Sequence, residues 1–128
     1  MVVDLRRPVS IESIDGLRTL GLSGEFGVIT ACDPMGAPQT TEVNQARTRR
    51  LQKEIEADFG AAVPLDACSV DGSHCEASFA LAAARERIVS LAIRHDQLGI
   101  FWFDSSHFWI VPARSSVAPV RLPITVEP

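Results

Sequence analysis

The 128-residue chain has no run of about eighteen uncharged apolar residues, so no membrane-spanning helix is expected. Its start, MVVDLRRPVSIES, also lacks the long apolar core of a signal peptide, and the protein is expected to be cytoplasmic. Cysteine is scarce. Cys32, Cys68 and Cys75 are an odd number at loose spacings, unlike the disulfide framework of a small secreted domain, so reduced thiols are expected. Cys68, His74 and Cys75, with Cys32 or Asp71 as a fourth, could be written as zinc ligands, but no cysteines are paired at two to four residues and no metal is expected. There is no glycine-flanked serine elbow, phosphate loop or dinucleotide fingerprint, so hydrolase, nucleotidase and dehydrogenase chemistry has no motif behind it and no cofactor is implied. Positive charge is not in excess either: a net charge of -4 gives no global attraction to nucleic acid or to an anionic membrane.

What is present is a folding core. Hydrophobic residues make up 46% and charged residues 22%, in the range of soluble globular chains, and the length suits one domain. The chain is organised around EFGVITACDP, residues 25–34. Phe26, Val28 and Thr30 alternate with Gly27, Ile29 and Ala31, so both faces are mostly apolar and the stretch reads as an inner strand that ends at Asp33 and Pro34. Thr40 or Thr41 then caps a helix with an inward stripe of Val43, Ala46 or Arg47, Leu51, Ile55 and Phe59, closed by Gly60. Arg50 and Glu54 are four apart and can pair. The RTRR run, with acids after it and helical spacing, reads as a solvated helix face rather than a phosphate site.

Residues 61–70 read as a second strand, placed at an edge by Pro64, and residues 77–82 as a third, joined to it across a loop holding Asp71, Gly72, Ser73, His74 and Glu76. A second helix follows from Ala83, with Ala84, Ile88, Leu91, Ala92 and His95 on one stripe, so His95 is expected to be buried. Gly99 ends that pattern. IFWF and FWIV, joined through DSSH, make a last aromatic strand pair, and His107 in that turn is expected to be solvated. Ahead of all this, residues 1–24 read as an arm and a short helix on Ile11, Ile14, Leu17 and Leu20, and residues 114–128 as an extended proline-rich tail. The resulting fold class is α+β: a ferredoxin-like, split βαββαβ sandwich over residues 25–113 with an added C-terminal strand. Two helices would cover one sheet face, leaving the other for the N-terminal helix, the tail or a second copy of the chain in a homo-oligomer.

ITACDP, Asn44, SHCEASFALA and HDQLGIFWF together resemble the bacterial domain-of-unknown-function family 3293 over Glu25 to Ala113. The resemblance puts family positions at Thr30, Ala31, Pro34, Asn44, Glu76 and Gln97, with Asp33 standing where asparagine is usual and His95 where an aromatic residue is usual. It implies no activity. Topology brings the end of the first strand, the start of the first helix, the start of the third strand and the end of the second helix to one end of the sheet. Thr30, Asp33, Asn44, His74, Glu76 and Gln97 are therefore the candidate ligand-binding residues. Two functions fit: a small ligand-binding or protein-interaction module at that polar end, or a small enzyme with Glu76 and Asp33 as general acid and base, Asn44 and Gln97 positioning the substrate. The module is preferred because nothing identifies a nucleophile or a cofactor, and structural hydrogen bonding would also account for these polar groups.

Overall fold

The computed structural model describes residues 9–10, 24–60, 63–68, 73–122 and 124–125. The helix expected over residues 11–20 and the turn residues 69–72, Asp71 among them, lie outside that set. In chain order the elements are β1 (Val9–Ser10), β2 (Glu25–Thr30), a 3-10 turn (Pro34–Gly36), α1 (Thr41–Asp58), β3 (Val63–Cys68), β4 (Cys75–Leu81), α2 (Arg85–Arg94), β5 (Gly99–Asp104), β6 (Phe108–Pro112), β7 (Val120–Leu122) and β8 (Ile124–Thr125). Six strands form one antiparallel sheet in the order β3-β4-β2-β5-β6-β7. The stretch read as central is central: β2 lies between β4 and β5. Pro64 is on the edge strand β3, where its missing N–H breaks no ladder to a further neighbour. The tail supplies the opposite edge as β7, and Val9–Ser10 pairs in parallel with Ile124–Thr125 as a separate two-stranded ribbon.

The alternation in β2 divides the core in two. Ile29 and Ala31 join Leu51 and Ile55 of α1 and Ile88, Leu91 and Ala92 of α2 in one buried cluster, so both helices cover the same sheet face. The helix α2 comes close at Gly27, where an added Cβ would lie 2.8 Å from the Ile88 Cδ1 atom. On the other face Phe26, Val28, Ala80, Phe103 and Phe108 form a second cluster, with Phe26 and Phe103 ring centroids 5.2 Å apart. These residues are buried within a single chain, so their apolar surface does not call for a second copy to cover it.

Thr40 caps α1 by accepting the Val43 N–H, and His95 is 1% exposed at the end of α2, both as the sequence predicts. Three expectations are corrected. Val43 and Ala46 face solvent rather than the core, since the buried residues of α1 are Leu51 and Ile55 in its second half. Glu54 pairs across to Arg94 and His95 rather than along its helix to Arg50. Cys75 is disulfide-bonded, not a reduced thiol, and the residue directly across from it in the β3–β4 register is Cys68. Cys32 is a free, buried thiol, consistent with a small core residue.

Candidate functional site

At the end of β2 the chain turns sharply, and Asp33 and Met35 both take left-handed backbone conformations with φ of 47° and 55°. Asp96, after α2, has φ of 56°. Three of the four non-glycine residues with positive φ among those described thus stand at this end, and the two loops are tied by the Met35 N–H donating to the Asp96 carbonyl at 2.6 Å. Such backbone costs free energy and persists only where the surroundings impose it. Here the surroundings are polar. Asn44, in the first turn of α1, accepts the Asp33 N–H at 3.0 Å and donates through Nδ2 to Asp33 Oδ1 at 2.9 Å, while the Gln39 N–H donates to the same oxygen at 3.0 Å. The Asn44 bond is the main reason the Asp33 carboxyl is held below its usual range; burial opposes it, and the Gln39 amide and the attraction of His74 add to it.

Arg47 and Arg114 brace the other side of this end. The Arg47 guanidinium donates to the Ala31 and His95 carbonyls at 2.8 and 2.7 Å, and Arg114 donates to the Gln97 and Ile93 carbonyls at 3.2 and 2.6 Å. Both cations meet carbonyls at the C-terminal end of α2, where the helix leaves acceptors unsatisfied. Gln97 is 7% exposed and donates through Nε2 to the carbonyls of Cys32 and His95, both at 3.1 Å. Its Oε1 takes no donor among the described residues.

The loop into β4 brings the remaining groups. His74 Nε2 and Glu76 Oε1 are 3.1 Å apart, and one ligand-capable atom each from Asp33, His74 and Glu76 lies within 4.8 Å of the other two. Glu76 is partly buried, whereas His74 is 62% exposed at the rim. All three line a cavity of about 490 Å³ together with Thr30, Ser78, Gln97 and an apolar wall from Val28, Phe101 and Ile110. Val28, Phe101 and Ile110 belong to the sheet face turned away from the helices. The size is that of a small-molecule site, and the lining has the expected form, an apolar body with a few polar groups at one end.

Of the residues singled out from the sequence, Thr30, Asp33, His74, Glu76 and Gln97 line this cavity. Thr30 is occupied by the backbone, donating to the Ala77 carbonyl at 2.8 Å and accepting the Cys32 N–H at 3.1 Å. Asn44 is not in the cavity; it lines a separate one of about 360 Å³ with Cys32, Thr48, Arg49 and Cys75, and reaches the site only by holding Asp33. Ser78 and the Val28, Phe101 and Ile110 wall were missed, although the alternation Glu76, Ser78, Ala80 in β4 places Ser78 beside Glu76 on the same face. Arg47 was legible only as an ambiguous stripe position, since nothing in its own helix reports that it reaches the end of α2.

Among the described residues no helix is long and apolar enough to cross a membrane. No curated protein and no solved structure gives a significant match to the chain. The family model described as "Protein of unknown function (DUF3293)" matches residues 29–100, the stretch from the end of β2 to the start of β5 that carries the strained loops, Asn44, Glu76 and Gln97. More than half of the chain lies within that match, and the protein belongs to the DUF3293 family.

Proposed function

We propose that the protein is a small-ligand-binding domain, with the ligand's apolar body along Val28, Phe101 and Ile110 and its polar head among Asp33, His74, Glu76 and Gln97. The observation that carries this reading is the cavity itself, about 490 Å³, with an apolar wall from Val28, Phe101 and Ile110 and with Asp33, His74, Glu76 and Gln97 as its polar groups. Gln97, fixed by two donated hydrogen bonds, accepts through Oε1 from no described residue, so that oxygen can take a donor from a bound molecule or its water. The strained loops at the mouth support the same reading, because left-handed non-glycine backbone gathers at ligand sites. The strand order β3-β4-β2-β5, with both helices on one face, supports a ferredoxin-like arrangement for the part of the fold that builds the cavity.

A thermal-shift screen against a metabolite and nucleotide library tests the proposal, since a molecule that binds only the folded state raises the melting temperature by mass action. At least one compound is expected to raise it in the native chain and to lose that effect in Ile110→Trp, which fills the cavity from its apolar wall. A hit that binds Ile110→Trp as well as the native chain sinks the reading. A second reading, a small enzyme, is favoured by one feature: the 3.1 Å contact between His74 Nε2 and Glu76 Oε1, which places an imidazole and a carboxylate where a proton could pass to or from a bound molecule. The variant Glu76→Gln separates the two, since an enzyme loses turnover while a binding domain has none to lose.

A further inference from the structure

We propose that Asp33, His74 and Glu76 hold a first-row divalent cation at the mouth of the cavity. Asp33 follows β2 while His74 and Glu76 flank the start of β4, far apart in sequence, yet they place two carboxylate oxygens and one imidazole nitrogen all within 4.8 Å of one another. Ligands about 2.1 Å from a shared ion are about 3 to 4 Å apart, so side-chain rotations that draw the donor atoms together by about 1 to 2 Å close the set. His74 at 62% exposure and Glu76 at 27% have room for that adjustment.

Charge and donor type agree. Two carboxylates and a neutral imidazole match a dication, and one nitrogen with two oxygens suits manganese, iron, cobalt or zinc better than calcium or magnesium. Asp33 is held as a metal-binding carboxylate usually is: Oδ1 is fixed by Asn44 and the Gln39 amide, and Oδ2 takes no hydrogen bond from a described residue. A plain surface ion pair between His74 and Glu76 would need none of that orientation and would contribute little to stability.

Gln97 lines the same cavity, its Oε1 accepts no hydrogen bond from a described residue, and a metal-bound water is a strong donor that it could receive. Three protein ligands also leave coordination positions open. This deepens the reading of the cavity as a ligand site and rests on it for one consequence: the ligand's head group is an oxygen donor such as a carboxylate or a phosphate, coordinating the cation rather than the bare acids.

The full chain, stripped with chelator and dialysed, is titrated with Mn²⁺ by electron paramagnetic resonance and with Zn²⁺ by equilibrium dialysis, no organic ligand being present. One Mn²⁺ per chain is expected, with affinity falling about tenfold or more in His74→Ala and in Glu76→Gln, and unchanged in Cys32→Ser. His74 is a rim residue, so His74→Ala keeps its fold, which circular dichroism checks. No Mn²⁺ bound at submillimolar concentration, or native affinity in both His74→Ala and Glu76→Gln, overturns the proposal; so does Zn²⁺ uptake that disappears in Cys32→Ser. Repeating the thermal-shift screen with chelator keeps the two ideas apart. Hits that survive chelation uphold the cavity and refute the cation as their anchor, whereas stoichiometric Mn²⁺ with no organic hit upholds the cation and refutes the cavity reading.

Discussion

Gly99 shows how a single missing methyl group sets the local packing. A Cβ built there would lie 2.6 Å from the Val111 carbonyl oxygen on the neighbouring strand, a backbone atom that cannot swing aside as a side chain could. Since Gly99 starts β5 and lines the cavity, Gly99→Ala is expected to push β5 from β6 at that end and to cost about 1 to 3 kcal/mol, read as a lower urea midpoint. An unchanged midpoint would show that the strands yield without cost. In the sequence Gly99 reads only as the end of a helix pattern, because a cross-strand approach depends on a register that no local window contains. Asp33 is a similar case. It was legible as an acid at the right end of the sheet, but its left-handed backbone and its two bonds to Asn44 follow from how α1 docks, which spacing alone does not report.

Between elements, a paired polar tie joins α1 to α2. Glu54 accepts from His95 Nε2 through Oε2 and from Arg94 Nε through Oε1, both at 2.6 Å. His95 is 1% exposed and its Nδ1 has no partner among the described residues, whereas Arg94 is half in solvent. The two halves of the tie should therefore differ in worth. Removing the exposed partner, Arg94→Ala, is expected to cost less than about 1 kcal/mol. Glu54→Ala leaves a buried ring with neither nitrogen satisfied and is expected to cost about 1 to 3 kcal/mol. Equal midpoints for the two variants in urea would contradict this ranking. The stripes Leu51 with Ile55 and Ile88 with Leu91 were legible because they repeat at helical spacing, and burial enforces that spacing. The Glu54 partner was not. A neighbour four residues along the helix is visible in sequence, but a neighbour at the end of another helix exists only after docking, and the buried, hydrogen-bonded ring outcompetes the exposed Arg50.

For the whole molecule, the alternation of helices and antiparallel strands was legible as an α+β fold, whereas the cavity at the end where the polar loops meet was not. Its wall is made by residues that are hydrophobic on a sheet face, and such residues look the same whether the face is packed solid or hollow. The balance of charge over the fold can be tested by acid. Burial pushes the Glu54 carboxyl up, and the hydrogen bonds from His95 and Arg94, with the charge of both, outweigh it and bring it below its ordinary 4.5. Burial likewise raises Asp104, but the His107 amide, the Trp109 indole, the Ser106 amide and the charge of His107 carry it below 3.8; Glu25, opposite it in the register, is exposed. Both groups therefore bind protons less readily folded than unfolded. Their contribution to stability is complete above the unfolded values, and it is lost as pH falls through the folded ones. In the presence of chelator, so that no cation at Asp33 enters the comparison, the urea midpoint is expected to stay level from neutral pH down to about 5 and to fall below about 4.5. The double variant Glu54→Gln with Asp104→Asn should start lower at neutral pH and decline less in acid. If native and double variant lose stability in parallel below that point, the acid sensitivity belongs to other carboxylates, and these two ties do not govern it.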